Sequence, residues 1–179
     1  MSALETVAVA FWLMLPAYIP NNTAVVFGGG RPVDMGREWN GTRVLGDGKT
    51  WRGSASGVVA GFVLALFLNE ALARGYVPEF LPTFAPLAAL GLALGAILGD
   101  MGASFLKRRT GRERGAPFPG VDQLDFVVGA FAVTVPLAPG WFFDSFTPGV
   151  LAVVLVITPV LHVSTNFIAY KLGLKDEPW

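Results

Sequence analysis

LPTFAPLAALGLALGAILGDMGASFLKRR, residues 81–109, is almost uncharged as far as Leu106, carries Asp100 within it, and then meets Lys107, Arg108 and Arg109 in succession. About 20 apolar residues in a helix cross ~30 Å of hydrocarbon. The run from about Leu81 to Leu106 is therefore predicted to span a membrane and to end at a cationic edge. Within it Gly91, Gly95, Gly99 and Ala103 form a stripe of small side chains that lets another helix backbone come close. Asp100, Ser104 and Lys107 follow at steps of four and three and share one strip of that helix. A charged group within hydrocarbon costs at least ~2.5–3.5 kcal/mol on insertion scales unless it faces protein or water. Asp100 is thus expected to look into a polar cavity, or else to pair with Lys107 at the interface.

Similar runs recur on either side. Apolar residues make up 53% of the 179-residue chain and charged residues 15%, which excludes an ordinary water-soluble protein, and the runs are too widely spread for a cleaved signal peptide. A segment from about Ala3 to Ile19 carries Glu5, Pro16 and Pro20, and another runs from Gly53 to about Ala73 with its own stripe of Gly53, Gly57, Gly61 and Ala65. A shorter one runs from about Phe126 to Phe142, is interrupted by Pro136 and Pro139, and reaches spanning length if it starts near Asp122. The last runs from about Pro148 to Tyr170 with Pro159 as a bend. The expectation is an all-α integral membrane protein of one domain, residues 1–179, with five transmembrane helices. The two glycine stripes pack against each other or against other helices.

Charge placement sets the expected orientation. Five crossings put every lysine and arginine except Arg74 on one side, the side that is cytoplasmic by the positive-inside rule. The N-terminus is then outside and the C-terminus cytoplasmic, with two functional cytoplasmic loops, residues 21–52 and 104–126. The formal net charge is zero, so nothing suggests a nucleic-acid partner. Cysteine is absent, which excludes disulfides and thiolate metal sites.

Both loops carry chemistry suited to phosphate. In the second, Pro119 and Gly120 favour a turn, after which Asp122 and Asp125 stand three residues apart on a first helical turn. Two carboxylates beside Lys107, Arg108, Arg109, Arg112 and Arg114 suit Mg²⁺ held on phosphate oxygens. The alternative makes Asp122 an N-cap and Asp125 a favourable charge on the helix dipole. The first loop offers Asn21, Asn22, Asp34, Asn40, Asp47, Lys49, Thr50 and Arg52. Its GDGKT, residues 46–50, is no Walker phosphate loop, because Arg43 stands where the first glycine belongs. Phosphate contact by Lys49 and Arg52 stays open beside a purely topogenic role.

Ser104 to Arg109 followed by GAPFPGVDQLDF, residues 115–126, resembles the membrane cytidylyltransferases that activate phospholipid precursors with CTP. The whole chain, with Asn21-Asn22 and GDGKTWRG at 46–53, resembles their archaeal branch, the CDP-archaeol synthases. The resemblance implies an enzyme of the cell membrane, multi-pass, with its site facing the cytoplasm. It would use Mg²⁺ to join CTP to an isoprenoid glycerol-phosphate ether lipid and release pyrophosphate. It also implies Asp122, Asp125 and Lys107 as catalytic residues, with Asp122, Asp125 and Asp100 on the metal. Lys49, Arg52, Ser104, Lys107, Arg108, Asn21 and Asn22 would contact the nucleotide or lipid head. Where the wider family has a Lys-Asp step this chain has Arg112, Glu113 and Arg114, and Gln123 takes an arginine-like position, so the second metal ligand is open between Asp100, Glu113, and substrate phosphates with water.

Cytidine readers are not distinguished: Asn21, Asn22 and Asn40 have suitable amides, and Trp51 or Phe118 could stack on a base. His162 reads as a packed residue. Two other functions remain, a different membrane phospho-group transferase acting on a prenyl or ether lipid, and a small lipid-interacting transport subunit. The partners expected are CTP, the ether lipid and the bilayer, with a homo-oligomer open beside a single chain.

Overall fold

A computed structural model of the chain describes residues 1–112, 118–171 and 173. In order these form α1 (Ala3–Val26), β1 (Glu38–Trp39), β2 (Thr42–Arg43), α2 (Trp51–Ala73), α3 (Pro86–Arg109), α4 (Val121–Leu137), α5 (Pro139–Ser145) and α6 (Pro148–Lys171). Local chemistry sets the boundaries. Ser2 and Glu5 form a reciprocal capping box at the start of α1. The Thr50 hydroxyl accepts the Gly53 N–H at the start of α2, and Pro86 opens α3 where its missing N–H costs nothing. Lys107, Arg108 and Arg109 complement the dipole at the end of α3. At the start of α4, Gly120 adopts φ +83°, which an L side chain resists, and the Gln123 side chain accepts its N–H.

Four of these helices are long and apolar enough to cross a membrane: α1, α2, α3 and, within α6, Pro148–Ile168. The chain is therefore a multi-pass membrane protein, but the expected count of five crossings is not met. The fourth sequence segment is divided: α4 has 17 residues with Pro136 in its last turn, the backbone breaks at Ala138, and Pro139 starts the short α5. Seventeen residues rise about 26 Å, short of the ~30 Å core. The placement of the termini on opposite sides of a membrane loses the crossing count it rested on, although α1 and α6 run parallel, Thr6 lying against Gly149 and Tyr18 meeting Thr158. A two-residue hairpin, β1 against β2, is a further small departure from an all-α reading.

The first segment is also longer than its sequence suggests, since α1 continues past Pro20 to Val26 and carries Asn21 and Asn22 on the helix rather than in a loop. Each proline removes one intrahelical N–H, freeing the carbonyls of Trp12 and Pro16. The Pro16 carbonyl lies against Gly61 of α2, so a neighbour covers the gap.

The glycine stripes do not face each other. Gly53, Gly57 and Gly61 of α2 lie on the carbonyls of Ala24, Pro20 and Pro16 in α1, whereas Gly91, Gly95 and Gly99 of α3 lie on Thr134, Gly129 with Ala130, and Asp125 in α4. Both pairs therefore run antiparallel at backbone contact. Across the bundle the Tyr18 and Thr158 hydroxyls are 2.9 Å apart, joining α1 to α6. The end where α2 stops and α3 starts is tied by Asn69, whose amide bonds both backbone groups of Phe84, and by the indole N–H groups of Trp12 and Trp141 on the carbonyls of Pro82 and Thr83. At the opposite end, the close of α1 and α3 meets the start of α2 and α4. The charged residues gather there.

Candidate active site

The first loop is a hydrogen-bonded scaffold built around one carboxylate. Asp34, with its side chain 1% exposed, receives the Arg43 guanidinium at 2.8 and 3.2 Å and the backbone N–H groups of Gly36, Leu45 and Gly46. Arg43 first, and the three N–H donors after it, hold the Asp34 carboxyl well below the usual carboxylate range against the opposing effect of burial. Arg43 also pairs with Asp47 at 2.7 Å. Asn40 and Gly41, both at positive φ, make the tight turn between β1 and β2 that an Asn-Gly pair favours. At the loop's base the Val33 N–H donates to the Lys49 carbonyl and the Trp51 N–H to the Arg31 carbonyl. GDGKT is thus a turn leading into the Thr50 cap of α2, consistent with the rejection of a Walker loop.

That scaffold delivers Lys49 to α3. Lys49 Nζ lies 2.5 Å from Asp100 Oδ2, and both side chains are about three-quarters covered. A second pair joins α3 to α4, with Lys107 Nζ 2.7 Å from Asp122 Oδ1, while Asp122 Oδ2 accepts the Phe118 N–H. Asp100 therefore pairs with the other loop rather than with Lys107. Asp122 lies inside the first turn of α4, whose N-cap is Gly120, so it is not the N-cap.

Asp125 stands one turn farther along α4, its backbone carbonyl against Gly99 and one carboxylate oxygen accepting the Phe126 N–H. Burial, then the charge of Asp100 and more weakly that of Asp122, raise its pKa to about 7. Three aspartates thus share one negative field, and two of them hold a lysine. No group of three or more His, Cys, Asp or Glu is arranged to hold a metal ion among the described residues. The donor chemistry nevertheless suits Mg²⁺: hard carboxylate oxygens, and a crowding of like charge that a divalent cation relieves.

The family model described as CarS-like, CDP-archaeol synthase, matches residues 3–179. The chain belongs to the CDP-archaeol synthase family. A CDP-archaeol synthase from Halorubrum lacusprofundi is 63% identical over 97% of both chains, and one from Haloarcula marismortui is 63% identical over the full length of both. One from Methanosarcina barkeri is 50% identical over 93% of this chain and all of its own. A solved structure described as an intramembrane enzyme for archaeal membrane lipids biosynthesis superposes with a TM-score of 0.70 at 44% identity, covering 88% of this chain and 92% of its own.

The other residues anticipated for a CDP-archaeol synthase site fall unevenly around the two lysine pairs. Asn21 Oδ1 is buried without a hydrogen bond among the described residues, and Ser104 stands on the Asp100–Lys107 strip. Arg108 reaches the Arg112 carbonyl at 3.3 Å, and its guanidinium lies near Gly46. Arg52 instead caps α1, donating to the carbonyls of Phe27 and Gly28, and the Asn22 amide donates to Tyr18 of its own helix. Phe118 lies under the Arg112 guanidinium at 4.2 Å, Trp51 is exposed, and Asn40 serves its turn. His162 is half-buried on α6. Glu113, Arg114, and the stretch from Gly115 to Pro117 lie outside the described residues. Sequence reasoning missed the scaffold roles of Asp34, Arg43 and Arg109, although Asn40-Gly41 was a usable hairpin signal.

Proposed function

We propose that this chain, acting as a single domain, transfers the cytidylyl group of CTP to 2,3-bis-O-geranylgeranyl-sn-glycerol 1-phosphate, giving a CDP-archaeol lipid and pyrophosphate. The observation that carries the site is the convergence of both charged loops on α3, through Lys49 on Asp100 and Lys107 on Asp122, with Asp125 beside them. The lipid phosphate oxygen attacks the α-phosphorus of CTP as the bond to the β-phosphate oxygen breaks. No protein nucleophile is needed, since the monoester is already anionic. Alignment and neutralisation of developing charge account for the acceleration.

Asp122, Asp125 and Asp100 are assigned to Mg²⁺. Bound there, it supplies charge neutralisation and orientation for the triphosphate. Lys49 and Lys107, turning from their carboxylates to phosphate oxygens, bind the triphosphate and the leaving pyrophosphate, with Arg108 beside them. Ser104 donates to a phosphate, and Asn21, with its open amide oxygen, accepts from the cytosine amino group or a ribose hydroxyl. Arg52 and Asn22 act at the rim, holding the end of α1 where the lipid head enters. The site faces the cytoplasm, because the described cations other than Arg74 and Lys171 gather in the two loops at its end of the bundle. The tails stay in the bilayer, avoiding a cost of roughly 0.8 kcal/mol for each methylene exposed to water.

The test is a nucleotide and acceptor panel. Purified protein with Mg²⁺ is expected to release pyrophosphate from CTP only when an isoprenoid ether-lipid phosphate is present. Absence of release with every nucleoside triphosphate, or anion flux in vesicles without nucleotide turnover, would overturn the assigned reaction.

A further inference from the structure

Arg109 is the last residue of α3, two positions beyond Lys107 and on another side of the helix. Its guanidinium reaches across to the first loop. Nη1 donates to the Trp39 carbonyl at 2.6 Å, and Nη2 donates to the carbonyls of Thr42 and Arg43 at 3.0 and 2.9 Å. The same guanidinium lies 5.5 Å from the Trp39 ring centroid and 5.4 Å from that of Phe105, and those rings are themselves 5.8 Å apart. One side chain thus holds three backbone carbonyls of the hairpin and is bracketed by two aromatic faces. An ammonium cannot reproduce this, because the forked planar donor set and its stacking belong to guanidinium.

The hairpin is joined to Lys49 by a continuous run of hydrogen bonds. The Val44 N–H donates to the Arg37 carbonyl, Arg43 and the N–H groups of Leu45 and Gly46 converge on Asp34, and the Val33 N–H donates to the Lys49 carbonyl. We infer that Arg109 is a positioning residue for cytidylyl transfer: by clamping the β1–β2 hairpin to the end of α3 it fixes the loop so that Lys49 meets Asp100 on the same helix. Arg109 itself touches neither lysine pair. This rests on the proposed role of Lys49 at the nucleotide phosphates.

A double-mutant cycle with hydrogen exchange tests it. Arg109→Ala is expected to raise KM for CTP at least about tenfold with a smaller change in kcat. Exchange at the backbone amides of residues 33–49 should rise while α3 and α4 keep their protection. Added to Lys49→Ala, Arg109→Ala should cause little further loss, because both act through one contact. Arg109→Lys, which keeps the charge and the stem, should not restore KM, and it serves as the test variant if the alanine protein does not fold. Losses that multiply in the double variant, or unchanged exchange across residues 33–49 in an active protein, would overturn the inference. A wild-type protein without CTP turnover would instead overturn the functional reading on which it rests.

Discussion

Asp125→Asn is expected to lower turnover by roughly 10³-fold while leaving the protein folded, a loss on the scale of removing one preorganised electrostatic contact. Asn keeps the shape of the side chain and can still accept the Phe126 N–H, so packing at Gly99 is untouched. What it removes is the negative charge beside Asp100 and Asp122. The same charge opposes folding. A carboxyl raised to about 7 binds its proton more tightly in the folded chain, so its contribution to stability falls as pH rises from the ordinary 3.8 toward 7. The variant should therefore melt no lower than wild type near neutral pH. Turnover near the wild-type rate at saturating Mg²⁺ would remove Asp125 from the chemistry.

A comparably large effect is expected at an uncharged position, one turn beyond Asp125 on α4. A Cβ on Gly129 would meet the Gly95 carbonyl oxygen and stand 2.5 Å from the Gly99 Cα and 2.6 Å from its nitrogen, all backbone atoms that cannot turn aside. Overpacking of this kind costs about 1–3 kcal/mol or more. Gly129→Leu should fail to accumulate as folded protein. Gly129→Ala should melt earlier and lose activity as well, because pushing α4 outward carries Asp122 and Asp125 away from Lys107 and Asp100. Gly102, where nothing lies within 4 Å of an added Cβ, is the control: Gly102→Ala should hold or slightly raise the melting point. Equal thermal melts for the Gly129 and Gly102 variants would contradict the close α3–α4 packing.

These cases mark how far the sequence could be read. The long helices were legible because uncharged runs have few other solutions, and the glycine stripes correctly marked where backbones approach. Their partners were not legible: stripes in α2 and α3 look alike, yet one meets the proline carbonyls of α1 and the other meets α4. The extent of α1 was hidden by Pro16 and Pro20, whose effect depends on Gly61 arriving from another helix. The length of α4 was overestimated because Pro136 and Pro139 end it, and the sequence alone does not say whether such prolines kink or stop a helix. At the site, helical spacing placed Asp100, Ser104 and Lys107 on one strip, with a polar cavity before Asp100 as the first reading and an Asp100–Lys107 pair as the alternative. The partner came instead from Lys49, 51 residues away, through a loop whose shape depends on Asp34 and Arg109.

The most direct measurement is the anomalous scattering of Mn²⁺, substituted for Mg²⁺, in crystals of the protein grown with CTP. Its peak is expected about 2.2 Å from carboxylate oxygens of Asp122 and Asp125, with Asp100 adjacent and Lys49 and Lys107 turned toward the triphosphate. A manganese peak on the nucleotide with none of these aspartates among its ligands would contradict the assignment of the site.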